Sequence, residues 1–224
     1  MSFRIEEKLF IKTENLTEFK EFLLKKSVKN LYHPRTIKSL YFDNNNLDMY
    51  NDSIEGMVPR KKIRIRVYPN EGDKNIYLEI KNSSVEGRFK TREILDVKKY
   101  NFFKSNGILD SQYGPCFPNY YVTYEREYSV IDDVRVSIDK NLKYIDFKTN
   151  TYFNDPNTIV ELKTSSKKNL DELTQAFPFQ RIRFSKYCFA VETLKNWEIC
   201  KKMYNKILQN EHGEVAQLVR AQDS

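Results

Sequence analysis

The chain has 224 residues, 40% hydrophobic and 31% charged, which excludes a disordered polymer and suits one large domain with a true core. Its net charge of +7 favours anionic partners only if the cations are ordered along the chain. His33 and His212 are the only histidines, and Cys116, Cys188 and Cys200 lack metal-ligand spacing, so a catalytic histidine system or a zinc site is disfavoured.

Phe3 to Ile11 alternates as a first strand. Asn15 and Glu18 then form a capping-box pattern, and Leu16, Phe19, Phe22 and Leu23 share the face of a helix that ends in Lys25 and Lys26. Lys38 to Phe42 reads as a strand, followed by a short helix or loop as far as Gly56 and Pro59. Lys61 to Tyr68 and Asn75 to Lys81 read as a hairpin, and Arg88 to Leu95 as the next strand after a turn at Gly87. Val97 to Ser105 is expected to be helical and Ser111 to Pro118 a loop. Tyr120 to Val130 and Val134 to Asp139 pair across Asp132 and Asp133, with strands at Lys143 to Phe147 and Thr158 to Thr164. Helices are expected from Asn169 to Phe177 and from Ser185 to about Leu208, with a break near Asn196 as the alternative. Gly213 to Ser224 differ in character from the rest, and residues 209–224 are read as a tail outside a domain spanning 1–208.

No run approaches the ~20 apolar residues that span a bilayer, and the charged start lacks an apolar signal core. A soluble protein in a reducing, cytoplasmic setting is expected, in keeping with the odd cysteine count.

Residues two apart on a strand share a face. Lys62, Arg64 and Arg66 therefore oppose Ile63, Ile65 and Val67; Arg4, Glu6 and Lys8 oppose Ile5, Leu9 and Ile11. Tyr77, Glu79 and Lys81 form one face, as do Arg88, Lys90 and Arg92, then Arg135, Ser137 and Asp139, then Glu161 and Lys163. Each could be an ordinary solvated strand face. Together they suggest a barrel with its charged faces inward and helices over its apolar outside. Such crowded cations need a multivalent anion, and the interspersed carboxylates could hold a hard metal on phosphate oxygens. Arg126 is read as a sheet-surface partner of a carboxylate.

At these residues the sequence resembles the VTC domain, the polyphosphate polymerase branch of the triphosphate tunnel metalloenzymes. The strings are Arg-Ile-Glu-Glu-Lys (4–8), Ser-Leu-Tyr-Phe-Asp (39–43), Arg-Lys-Lys-Ile-Arg-Ile-Arg (60–66), Leu-Glu-Ile-Lys (78–81), Arg-Val-Ser-Ile-Asp (135–139), Val-Glu-Leu-Lys (160–163) and Arg-Phe-Ser-Lys-Tyr (183–187). The resemblance implies an α+β fold: an antiparallel eight-stranded β-barrel tunnel with helices packed outside. It implies phosphate and ATP binding by Lys8, Arg64, Arg66, Lys81, Arg135 and Lys186, with Lys90 and Lys163 as further members, and catalysis centred on Lys8, Arg64, Arg66 and Lys186. Glu161 is the implied ligand for Mn²⁺ or Mg²⁺, with Glu6 and Glu79 as additional carboxylates. Arg4 stands where the wider superfamily has a first glutamate, which disfavours a two-metal hydrolase. The implied reaction is γ-phosphoryl transfer from ATP to inorganic polyphosphate, beside a separate membrane protein at the inner membrane face. A hydrolase of the same fold and a non-catalytic polyphosphate-binding module are the alternatives; nucleic acid is not an expected partner.

Overall fold

The computed structural model describes residues 4–71, 75–165 and 170–195. Strand β1 (Arg4–Ile11) leads through a 3-10 turn (Thr13–Asn15) into α1 (Leu16–Lys25). The expected capping box is not made: Asn15 already belongs to the preceding turn, its N–H donates to Lys12 O, and its side chain caps nothing. Strand β2 (Lys29–Asp43) is much longer than its alternating half predicts. Its first half, with His33 and Pro34, pairs through two register shifts that erase the period-two signal.

Helix α2 (Asp48–Glu55) settles the open reading of that stretch as a helix. Asp43 fastens it, accepting hydrogen bonds from the Met49 and Tyr50 N–H groups at 3.0 Å each. The predicted strands follow as β3 (Arg60–Val67), β4 (Ile76–Ser84) and β5 (Gly87–Leu95), then α3 (Val97–Asn106), capped by the Asp96 carboxylate on Lys99 N–H. A short β6 (Ile108–Asp110) pairs with β7 (Gly114–Ile131), so much of the expected loop from Ser111 to Pro118 is strand. At the junction Gly107 holds φ +82°, and a Cβ there would lie 2.5 Å from Cys116 O. Strand β8 (Val134–Asp146) joins two predicted strands across Asn141, at φ +54°, where the β7–β8 register shifts. Then come β9 (Tyr152–Asp155), β10 (Thr158–Ser165), α4 (Leu170–Ala176) and α5, helical over residues 186–195. The rest of the last expected helix, and the tail at 209–224, lie outside the described residues.

All ten strands join in antiparallel ladders, in the order β1-β10-β8-β7-β2-β3-β4-β5, with β6 on β7 and β9 on β8. The path has the expected eight strands, but it does not close into a barrel. Its ends, β1 and β5, form no ladder among the described residues. The physical reason is that the free edge of β1 is already taken. Phe10 N–H donates to Gln180 O, Ile182 N–H donates to Lys8 O, and Leu9 bridges Arg181. The chain entering α5 thus occupies the edge that closure requires.

The sheet nevertheless curls strongly. Lys8 on β1 donates to Phe184 O at 2.6 Å, while Lys62 on β3 donates to Ser185 Oγ at 2.9 Å. These strands are five steps apart in the sheet, about 24 Å if it were flat. The alternating pattern then sorts residues between two faces. Apolar residues of β1, β8 and β10 pack under α1 and α4 through Phe19, Leu23, Leu173 and Phe177. Those of β2, β3 and β4 form a second outer cluster with Met49 of α2. On the inner face, α5 fills one end with Tyr187, Ala190, Val191 and Leu194. The remainder of that face is charged.

Candidate functional site

The inner-face side chains of β3, β4 and β5 converge on Glu79, which is 1% exposed. Arg64 donates through Nε and Nη2 to Glu79 Oε2 at 2.9 and 2.6 Å, and through Nη1 to Tyr41 Oη at 2.9 Å. Lys90 donates to Glu79 Oε1, and Arg66 and Arg92 stand 3.7 and 3.6 Å from its oxygens. Cross-strand register makes this arrangement: Arg64 pairs with Glu79, and Glu79 with Arg92. Burial opposes charge on Glu79, but Arg64, Arg66 and Lys90 overcome it and hold the carboxyl at about 2.

Asp139, fully buried, organises the opposite wall. Arg126 grips it in bidentate fashion at 2.5 and 2.7 Å, and Lys186 from α5 meets it at 2.5 Å. The Ser185 hydroxyl accepts from Cys188 N–H and so starts the helix that delivers Lys186. Lys186 Nζ also lies 4.8 Å from the Tyr124 ring centre, and Arg66 donates to Tyr124 Oη at 3.0 Å, linking the walls.

At the β1–β10 edge, Glu6 and Glu161 are hydrogen-bonded to each other. Lys163 sits 3.2 Å from Glu161 and 3.5 Å from Glu6, with Arg126 at 3.6 Å from Glu161. The bond to Glu161, then burial, raises Glu6. Burial also pushes Glu161 up, but the hydrogen bond from Glu6, with Arg126, Lys163 and Lys8, holds it well below the carboxylate range. Side by side, the two carboxyl groups offer oxygen donors to a hard cation, and a divalent ion with few protein carboxylates and several phosphate or water oxygens has this donor set. Among the described residues no three His, Cys, Asp or Glu side chains form a protein-only cage. Glu79 accepts hydrogen bonds from Arg64 and Lys90 and has no carboxyl beside it among the described residues, whereas Glu6 and Glu161 face each other.

Lys8 and Lys62 are lowered chiefly by desolvation. Water reaches Lys81, yet the surrounding walls replace much of its bulk hydration. Desolvation, then Arg64, brings it down to about 8 against the pull of Glu161 and Glu6. Tyr41 is also brought to about 8: burial would raise it, but Arg64 and Arg66 prevail. Arg135 is exposed, next to Lys163 in register at the end of this face.

Ten of the predicted residues thus gather in the groove, with Arg135 at its end. The sequence reading placed Arg126 on the sheet surface; it does pair with a carboxylate, but inside the groove. It also gave no place to Tyr41 or Tyr124. The alternation Tyr124, Arg126, Tyr128 on β7 was the available signal. Among the described residues of the groove, ten cations (Lys8, Lys62, Arg64, Arg66, Lys81, Lys90, Arg92, Arg126, Lys163 and Lys186) stand with four carboxylates (Glu6, Glu79, Asp139 and Glu161). Such a surplus favours binding of a polyanion.

One consequence is a pH dependence. As pH rises through about 8, Lys81 loses its positive charge and Tyr41 gains a negative one, so affinity for inorganic tripolyphosphate should fall. Calorimetric titration between pH 7 and 9, roughly one unit either side of that value, checks this; in Lys81→Arg combined with Tyr41→Phe the fall should flatten.

The groove can be set beside known proteins. The chain is 30% identical over 102 residues to vacuolar transporter chaperone complex subunit 4 of Schizosaccharomyces pombe. That match covers 38% of this chain and only 14% of the relative's length. Among solved structures, a conserved hypothetical protein from Pyrococcus furiosus superposes with a TM-score of 0.53 at 16% identity, covering 83% of this chain and 99% of that one. A Vibrio parahaemolyticus protein gives 0.50 at 11% identity, covering 84% and 98%. These two likenesses concern the fold. A family model, that of the VTC domain, matches residues 3–195, the span that builds the curled sheet, α5 and the charged groove. The chain belongs to the VTC domain family.

Proposed function

We propose that the groove binds a linear phosphate chain and extends it with the γ-phosphoryl group of ATP. The observation that carries this reading is the ten-to-four excess of cations on the inner face of the curled sheet, contributed by both walls and by α5. In the reaction, a terminal oxygen of the growing chain forms a bond to γ-phosphorus. The bond from γ-phosphorus to the bridging β,γ-oxygen breaks, and ADP leaves with that electron pair. A phosphate terminus already carries an anionic oxygen, so the protein's task is alignment and charge stabilisation.

The residues divide that task. Arg64 and Arg66 present guanidinium forks from β3, while Arg126 and Lys186, oriented by Asp139, meet the chain from the other wall. Lys8, Lys81, Lys90 and Lys163 supply point charges along its length, with Arg135 at the end of the face. Glu79 holds the β3–β5 cations apart from one another and pointed inward. Mn²⁺ or Mg²⁺ held by Glu161 and Glu6 would supply further charge neutralisation on the phosphates. The relative is by name a subunit of a complex. We therefore place this domain beside a membrane partner at the cytoplasmic membrane face. No helix of the described residues is long and apolar enough to cross a membrane.

Incubation with ATP and Mn²⁺ tests the reaction. A long product sensitive to exopolyphosphatase, formed together with ADP, is expected. Free phosphate without polymer would replace this reading with hydrolysis, and binding without turnover would replace it with a storage or binding module.

A further inference from the structure

The groove uses one face of the sheet, and a separate group of cations stands on the other. On β2, Ile37 and Tyr41 join the inner cluster with α5, so Lys38 points outward, in line with Leu40 and Phe42 of the outer cluster. The Lys38 ammonium lies 4.3 Å from the centre of the Tyr121 ring, which is 5.7 Å from that of Phe147. Phe147 in turn walls a hollow of about 360 Å³, together with Lys104 and Ser105 of α3, Phe117 and Pro118 of β7, and Lys148.

The rim of this hollow is apolar. Leu109 pairs in register with Pro115, and Phe117 follows two residues on, so the three share one face of the β6–β7 ribbon. Ile108 and Cys116, on the opposite face, go to the core. Leu109 is 81% exposed, Phe117 37%, and Phe102, one turn before the end of α3, 60%.

The charge around the hollow is one-sided. Lys61 and Lys99 nearby are paired with Asp110 and Glu93, whereas Lys38, Lys104 and Lys148 have no carboxylate partner among the described residues. Asp146, close to Lys148 along the chain, is taken by the Lys148 and Thr149 N–H groups. Lys104 complements the C-terminus of α3, but that leaves Lys38 and Lys148 without a role. Burial, and then Lys104, lowers the basicity of Lys38, as like charges sharing a partly dry place should. An anion with an apolar body answers both features. A second copy of the chain does not fit, because a two-fold contact would set these lysines against themselves. A bilayer surface is flat and leaves the hollow unfilled. One apolar side chain enters it, and acidic residues on either side of that anchor reach the lysines.

We propose that this hollow docks an acidic peptide segment of a partner protein, its apolar anchor seated against Phe117 and Phe147 and its carboxylates on Lys38, Lys104 and Lys148. The site lies on the face opposite the phosphate groove, so the two should fill independently.

Fluorescence polarisation of labelled short peptides titrated with the full chain tests this. Each peptide carries one Phe or Leu flanked by Asp and Glu, and tripolyphosphate is kept at saturation so that the groove is filled. These peptides should bind, and exchanging the anchor for Ser should weaken them about tenfold. Lys104→Glu combined with Lys148→Glu should weaken them by about tenfold or more, and Phe117→Ser by about tenfold. Tripolyphosphate affinity should stay within about twofold in all these variants, since the sites share no residue. Reversing the two lysines breaks no ion pair among the described residues, so it decides the matter if Phe117→Ser unfolds. No binding, equal binding of peptides without the anchor, or binding unchanged in the double variant overturns the proposal. Attachment to phosphatidylserine vesicles without peptide binding overturns it too, and makes the patch a lipid contact instead. None of these results bears on the groove, which tripolyphosphate titration tests by itself.

Discussion

Arg64→Ala should lower ADP release from ATP by about 100-fold or more, the loss typical when one aligned donor is taken from a site that stabilises developing charge. Arg64 is placed for this by three hydrogen bonds, to Glu79 and to Tyr41, in a position only 12% exposed. Tyr41 in turn stacks on Tyr187 at 5.2 Å, and Tyr187 donates to Asp43 at 2.6 Å, the residue that fastens α2. The guanidinium is thus held by packing that reaches two helices. The fold should survive its removal, because Glu79 keeps Lys90, Arg66 and Arg92. Glu161→Ala should be similarly inactive, through loss of the carboxyl pair with Glu6 that is proposed to hold the metal. Full ADP release and polymer yield from either variant, with an unchanged circular dichroism spectrum, would refute the assignment.

Glu79→Gln should act on stability first. It removes the charge that balances four cations, two of which, Arg64 and Arg66, are 12% and 8% exposed. Lys90 and Arg92, at 40% and 44%, turn to water at little cost. The loss is therefore set by the arginine pair, about 3 kcal/mol, or roughly 10 °C in Tm for a chain of this length. Tripolyphosphate should raise Tm by more in this variant than in wild type, because the anion replaces the missing charge. A Tm unchanged by the substitution would show that the cations are solvated after all.

The same carboxylate gives the acid limb its sign. Its folded value is depressed from 4.5 to about 2, so its contribution is complete above about 4.5 and is lost as pH falls from there to about 2. Urea midpoints measured across that window should drop in wild type, with the Glu79 share of the drop missing in Glu79→Gln.

Much of this molecule was legible before folding. Alternation in Lys62–Arg64–Arg66 and Glu79–Lys81 assigned each side chain to a face, because a strand has a period of two wherever it runs. That face proved to be the inner one; α1, α2 and α4 cover the other as expected, but α5 packs on the inner face rather than outside. Where the period broke, the reading failed: the first half of β2 and the junction at Asn141 pair through register shifts that local pattern does not encode. Arg126 could be matched with a carboxylate from sequence, but not with Asp139 and Lys186 together, since these come from a neighbouring strand and a distant helix.

Closure of the barrel was beyond the sequence for the same reason. Whether β1 meets β5 depends on which segment occupies the β1 edge, and in the folded chain residues 180–182 hold it. By itself the sequence determined which residues are cationic and which way each strand faces, because both follow from chemistry over two or three residues. Only the tertiary structure decided which carboxylate each cation meets, because that follows from the pairing register between strands, and how far the sheet curls and where it stays open, because those depend on hydrogen bonds between segments more than 100 positions apart.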